Sequence, residues 1–285
     1  MAKNSALSSG LKYCLLAPGL LLIGLAIVMP ITVGFFAAFR SNGVWTLQNF
    51  QTVLTQAPYA TVLVNTLMIS VVVAAVSIGM AFPVCMFFAR AGRIATGFFV
   101  ASMTIVLAIS MLVRTYAWQV ILAYNGPLNE IAIAMGLYDQ KQMMLFTRGA
   151  VVVAMIQFMT PYAALILFSA MRRVDHDIVL ASRTLGASWW QGFRSAYWPQ
   201  VSGSVVLATV LVFSMATGFF VAPALLGGPG EAMVGTQIHA DLVFNYKNGA
   251  GLATAQGVVL AFILAIVTVA GFWLGGSSFL RSASR

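Results

Sequence analysis

Acidic side chains are scarce in this sequence. Its 285 residues include six Asp and Glu against fifteen Lys and Arg, and charged residues together make up only 7%. With 61% hydrophobic residues and a mean hydropathy of +0.95, the chain has too little polar surface to clothe a soluble globule, so it is read as integral to a membrane. Cysteine is nearly absent too. Cys14 and Cys85 fall at or inside apolar stretches and read as small hydrophobes, not as a disulfide framework or a metal pair. None of the four lysines stands in a G-x-x-x-x-G-K-S/T phosphate loop, and there is no nucleophile elbow, no H-E-x-x-H and no intramembrane carboxylate cluster to relay protons. The chain is therefore expected to be non-catalytic and to bind no cofactor itself. Any coupled chemistry belongs to another chain.

What is present is length of apolar run. Six segments reach or exceed the roughly 20 residues that cross a bilayer as a helix: Leu15 to Phe39, Val62 to Ala89, Phe98 to Ala123, Gly149 to Met171, Val201 to Leu226 and Leu252 to Leu280. The runs are continuous instead of alternating, which points to helices and not barrel strands. The first is too long for a signal peptide's apolar region and lacks a small-x-small cleavage site before Arg40, so it is expected to be retained.

Basic residues set the orientation. With the N-terminus inside, ten of the fifteen cations face the cytoplasm, Arg40, Lys141, Arg148 and Lys247 lie outside, and Arg114 lies within the third span. That bias predicts six crossings with both termini inside. The net charge of +9 describes topology, and no nucleic-acid partner is implied. His176 and His239 fall on opposite sides in this arrangement and cannot share a metal, so no metal site is expected.

The polar stretch from Arg172 to Pro199, between the fourth and fifth spans, is built like a docking element. Val174, Ile178, Ala181 and Leu185 recur at helical spacing and predict one apolar stripe, with Asp175 and Asp177 in the first turn where the helix dipole favours negative charge. Gly186 follows at the position where helices end in a left-handed residue. Ser188 with Gln191 predicts a capping box opening a second short helix, which Pro199 is expected to stop before the next span. An interfacial amphipathic helix held on lipid by Trp189, Trp190 and Trp198 is the plainer reading of the same residues.

The run Leu180-Ala-Ser-Arg-Thr-Leu-Gly-Ala-Ser-Trp-Trp-Gln, with Pro199 thirteen residues after Gly186, resembles the EAA loop of permease subunits of bacterial ABC importers. Ala181, Gly186 and Pro199 match that pattern, whereas Leu180 stands where glutamate is usual and Ser182 replaces the second alanine. Leu112-Val-Arg-Thr-Tyr-Ala-Trp with Asn125-Gly-Pro-Leu-Asn, and Pro223-Ala-Leu-Leu-Gly-Gly-Pro with Met233-Val-Gly-Thr-Gln-Ile, resemble the third-span and fifth-span exits of the spermidine/putrescine group.

The resemblance implies an all-α, six-span, MetI-like permease of the type I importer class, in the bacterial inner membrane. It implies a second homologous permease subunit, with a heterodimer favoured, two cytoplasmic ATPases holding ATP and magnesium, and an external solute-binding protein. Membrane lipid surrounds the whole. The loop residues Asp177, Leu180, Ala181, Ser182, Gly186 and Pro199 would then dock on an ATPase, with Asp177, one turn before Leu180, taking over part of the missing glutamate's role.

For Arg114 two readings stand: a pathway or interhelical charge, or a side chain snorkelling outwards beside Tyr116 and Trp118. Gln157 and Thr160 could line a path or bind neighbouring helices. Glu231, Asp241 and Tyr246, in the loop after the fifth span, are candidates for contact with the binding protein. A secondary transporter would be expected to show paired broken helices and an intramembrane acidic site, and neither is evident in the sequence.

Overall fold

The computed structural model describes residues 16–283 except 20, 42, 246 and 247, with side chains as far as 273. Its helices are α1 (Leu16–Ala38), α2 (Gln48–Thr55), α3 (Ala57–Ala89), α4 (Arg93–Ala108), α5 (Met111–Leu122), α6 (Pro127–Ala134), α7 (Arg148–Met171), α8 (His176–Thr184), α9 (Trp189–Thr217), α10 (Val221–Leu226), α11 (Val234–Phe244) and α12 (Gly249–Ala283). A two-stranded antiparallel hairpin, β1 (Arg40–Ser41) and β2 (Val44–Trp45), turns at Gly43 with φ +83°. Among the described residues five helices are long and apolar enough to cross a membrane. The count becomes six when α4 and the chain from Met111 to Ala134, bent by 90° at their junction, are taken as one span.

The chain divides into two compact units. One takes the described residues up to Gln56 together with Ile238–Val259. There the buried Asn49 donates to the carbonyls of Ala38 and Arg40 at 3.0 and 2.8 Å and accepts from Asn248 at 2.9 Å, tying the hairpin to the start of α12. Gly251 is required beside it, because a Cβ would lie 2.7 Å from the Arg40 carbonyl oxygen.

The other unit takes Ala57–Gln237 and the chain from Leu260. Its core is where α3, α7 and α9 meet, around Val73, Met155, Phe158, Met159, Leu167 and Val212. Ala74, Ala81, Ala154, Ala163, Ala164 and Ala208 are buried among them. In lipid such small residues matter because close backbone approach, and not escape from water, holds spanning helices together.

The third and fifth spans depart from expectation. The third is not one helix from Phe98 to Ala123: Ile109 and Ser110 are extended, with ψ of 131° and 135°, and helical geometry restarts at Met111. β-Branched Ile109 tolerates the extended backbone, and the Ser110 side chain makes no capping hydrogen bond where the helix restarts. The fifth does not run unbroken from Val201 to Leu226 either, since α9 closes on Gly218 and α10 follows after a turn.

Pro199 does not stop the helix that begins at Trp189. A π turn, Phe193–Tyr197, precedes it, and the Trp198 N–H bonds to the Phe193 carbonyl five residues back. The widened turn lets the helix pass a residue that lacks an N–H and would otherwise crowd the preceding turn. Expected loop and expected span are thus one helix.

Candidate functional site

The segment joining α7 to α9 satisfies its own backbone. The Asp175 carboxylate caps α8 by accepting the Asp177 N–H at 2.9 Å, and the Asp175 N–H donates to the Gln200 side chain at 2.9 Å. At the other end Gly186 adopts φ +88°, its N–H bonding the Arg183 carbonyl at 2.9 Å while that of Ala187 reaches Ser182 at 3.1 Å. This paired closure is the Schellman arrangement, and it needs a left-handed residue at Gly186. Nothing lies within 4 Å of where a Cβ would stand there, so the cost of a side chain is one of backbone conformation. The capping box follows as expected: Ser188 Oγ accepts from Gln191 N–H, and Gln191 Oε1 accepts from Ser188 N–H at 2.8 Å.

The apolar stripe of α8 splits between two faces. Val174 is buried at its base, and Val179 and Ser182 turn inwards, the Ser182 hydroxyl donating to the Val179 carbonyl. A Cβ on the buried Gly192 would come within 3.1 Å of that hydroxyl oxygen, which brings α8 close across the start of α9. Outwards stand Ile178, Leu180 and Leu185, the last 88% exposed, with Asp177 and Ala181. Four of the six predicted loop residues, Asp177, Leu180, Ala181 and Gly186, are therefore exposed on one short element. Ser182 is half-buried beneath them, and Pro199 lies on α9.

An aromatic stack behind this element was not foreseen. Trp189, Trp190, Phe193 and Tyr197 stack with neighbouring ring centroids 5.6 to 6.2 Å apart. Phe82 of α3 meets Phe193 edge-on at 6.3 Å, and the Arg90 guanidinium lies 5.7 Å from the centre of the Tyr197 ring. The signal was available, since 189, 193 and 197 repeat every fourth residue, one helix face.

Arg114 turns inwards. Its guanidinium lies over the Phe158 ring of α7, 4.6 Å from the centroid, and its Nε and Nη1 are buried with no hydrogen-bond partner. The snorkelling reading is overturned for these atoms: a stacked ring on α7 holds them inside the bundle. The Gln157 side-chain oxygen is also buried and unbonded. Thr160 returns its hydroxyl to the Ile156 carbonyl at 2.7 Å, so its polar group is taken up by its own helix.

At the opposite end of α7 Glu231 is already engaged. Glu231 pairs with Arg148 at 2.7 Å, Arg148 also donates to Asn65 at 3.1 Å, and Asn65 donates to the Gly230 carbonyl at 3.1 Å. Asp241 is 6% exposed and accepts from the Gln256 amide at 2.6 Å, so its carboxylate is turned away from any surface partner. Tyr246 lies outside the described residues. The two exit motifs meet here: Gln119 donates to the Leu225 carbonyl at 2.9 Å. The fully buried Asn129 donates to Gln142 at 2.9 Å and to Ala123 at 3.3 Å, and accepts from the Gln142 N–H.

Comparison with known proteins decides the class. The model of the family described as the binding-protein-dependent transport system inner membrane component matches residues 30–276. The chain belongs to this family. It is a multi-pass inner-membrane permease subunit of an ABC importer, a non-catalytic role in this family. The permease is 24% identical over 251 residues to the spermidine/putrescine transport system permease protein PotB of Escherichia coli K12, covering 87% of this chain and 89% of that one. It is 29% identical to PotB of Haemophilus influenzae over 155 residues, 54% of each chain.

Among solved structures, a chain of a bacterial alginate ABC transporter in complex with an alginate pentasaccharide-bound periplasmic protein aligns with a TM-score of 0.75 at 17% identity, covering 92% of both chains. A chain of the MetNI methionine ABC transporter aligns with a TM-score of 0.53, also at 17% identity, over 79% of this chain and 99% of that one. These likenesses show the fold, the MetI-like permease core.

Proposed function

We propose that the permease forms half of the pathway of an ATP-driven importer for a polyamine of the spermidine or putrescine kind, with both of its termini on the cytoplasmic side. A second, homologous but non-identical permease completes the pathway. Two cytoplasmic ATPases hold ATP and magnesium, and an external protein delivers the solute. The outward face of α8 carries this reading: Ile178, Leu180, Ala181 and Leu185 lie exposed on a helix fixed at both ends by caps and by Gly186. Apolar side chains so displayed on a pre-set element suit docking in a groove, where closure of the ATPases would move α7 and α9 as rigid bodies. Asp177, exposed one turn before Leu180, supplies the negative charge that position 180 lacks.

The polyamine assignment is supported by the resemblance to PotB over most of the chain. One observation favours a second reading, the same importer class serving an anionic solute: the charge buried within a span is the cation Arg114. The test is purification of the tagged permease in mild detergent, identification of the bound chains, and reconstitution in liposomes with ATP. Recovery of an ATPase and a second permease, with ATP-dependent uptake of putrescine or spermidine, supports the proposal. Uptake blocked by excess carboxylates and untouched by excess polyamines moves the assignment to the anionic solute, and uptake independent of ATP overturns both.

A further inference from the structure

The chain leaves α3 and enters α4 through three residues, Arg90, Ala91 and Gly92. Since both helices are apolar, this elbow sits where the bilayer meets water, whichever way the protein faces. Beside it opens a groove of about 720 Å³ lined by Phe88, Gly92, Arg93, Ile94, Ala95 and Phe98. Its apolar wall is exposed to an unusual degree, Ile94 at 91% and Phe98 at 72%. It is also held in shape. Phe88 stacks on Phe99 at 4.6 Å, Phe99 packs on Phe168 of α7 at 5.2 Å, and the Thr96 hydroxyl reaches the carbonyls of Phe88 and Ala91, both at 3.3 Å.

Two cations stand at the elbow beside the groove. Arg93 lines it, and Arg90 is fixed in the same elbow by its contact with Tyr197. Among the described residues the ion pair is Arg148 with Glu231, so neither elbow arginine touches a carboxylate. Cations without a carboxylate partner beside an open apolar surface match a ligand with an anionic head and a long hydrocarbon tail.

We propose that this groove is a binding site for an anionic phospholipid, with one acyl chain along Phe88, Ile94 and Phe98 and the phosphate on Arg93. Arg90 adds a second positive charge nearby, which favours a net negative headgroup over a zwitterionic one. The elbow's place at the bilayer boundary selects lipid as the occupant, because there the two parts of the molecule meet the two parts of the site at their natural depths.

The site is tested on the intact importer complex by native mass spectrometry, with equimolar dioleoyl phosphatidylglycerol and dioleoyl phosphatidylcholine in mild detergent. The wild-type complex is expected to retain phosphatidylglycerol preferentially. Arg93→Gln should cut that preference about fivefold, the factor given by roughly 1 kcal/mol per basic residue near an anionic surface, and Arg93→Lys should keep most of it. Ala95→Asp, which places a negative charge on the wall without touching either arginine, should abolish the preference independently. Equal retention of the two lipids by the wild type, or an unchanged preference in both Arg93→Gln and Ala95→Asp, overturns the site. So does zero-length cross-linking of Ile94→Cys to another subunit in native membranes, which would show that protein covers the groove.

Discussion

The two ends of α7, separated by about 36 Å for 24 residues, are held by opposite means. At the Arg148 end, polar side chains far apart in sequence cross-link the loops: Asn65 to Gly230, Arg148 to Asn65 and Glu231, Asn129 to Gln142, and the Thr66 hydroxyl to the Val234 N–H at 2.9 Å. At the Met171 end, α8 and its flanks close on themselves through local caps and turn apolar side chains outwards. The first construction ties loops to helix ends through separate side-chain bonds. The second makes a self-contained element that can meet a partner without rearranging. Its link to the spans is the Asp175–Gln200 hydrogen bond and the aromatic stack that reaches Phe82.

Replacing Asn129 by leucine should break the stitched end most. The change leaves the Gln142 N–H without its acceptor, while the Gln142 and Ala123 carbonyls keep the N–H groups of Met144 and Gly126, and it removes the amide of a side chain that is itself fully buried. Leaving one backbone donor unpaired costs about 1–3 kcal/mol, so a lower unfolding midpoint in detergent is expected. ATPase co-purification from the surviving folded fraction should be unchanged. A loss of ATPase at unchanged stability would show that the two ends are not built independently.

Gly186→Val tests the other construction. A β-branched residue at φ +88° costs at least about 1–2 kcal/mol, and no neighbour is close enough to add steric cost. ATPase capture should fall about tenfold, equivalent to roughly 1.4 kcal/mol, while membrane insertion holds and the detergent unfolding midpoint falls by no more than the backbone strain accounts for. Gly186→Asn should recover most of the capture, since asparagine tolerates the left-handed region. Unchanged capture by the valine variant would mean that the angle between α8 and α9 is set elsewhere.

How legible each end was in the sequence follows the same division. The caps, the glycine break and the Ser188–Gln191 box rest on residues within a few positions of one another, so spacing alone gave them. Glu231 and Arg148 are 83 positions apart, and no pattern in either neighbourhood announces that they pair. Asp241 looked like a surface charge because the amide that buries it, Gln256, lies in the next span. The break at Ile109 and Ser110 carries neither glycine nor proline, and hydropathy runs across it without a dip. The π turn was hidden for the converse reason: Pro199 signals a stop locally, and only the register of the preceding five residues lets the helix continue.

Asp177→Lys is expected to act on the loop alone. Reversing the charge in the first turn of α8 opposes the helix dipole by about 0.3–1 kcal/mol and removes the anion proposed to meet a basic residue of the ATPase. Transported solute per ATP hydrolysed should drop about threefold, of the order that 0.7 kcal/mol gives, with normal membrane levels of the permease. Asp177→Glu should retain coupling. Wild-type coupling in the lysine variant would remove Asp177 from the docking face and leave that role to the apolar residues.

The smallest effect belongs to the ion pair of Arg148 and Glu231. Glu231 and Arg148 meet at 2.7 Å, but the arginine side chain is 47% exposed and the carboxylate 21%. Pairs so placed contribute about 0–1 kcal/mol and weaken with salt. Glu231→Gln keeps an acceptor oxygen for the Arg148 Nε and removes only the charge, so unfolding should shift by less than about 1 kcal/mol, and the difference should shrink as salt is raised. The stitching should survive because the Asn65 amide still joins Arg148 to the Gly230 carbonyl. If instead Glu231→Gln lowers ATP-dependent uptake at constant stability, and Arg148→Gln does not, the carboxylate acts outside its pair, and the Arg148 end of α7 is a docking surface as well.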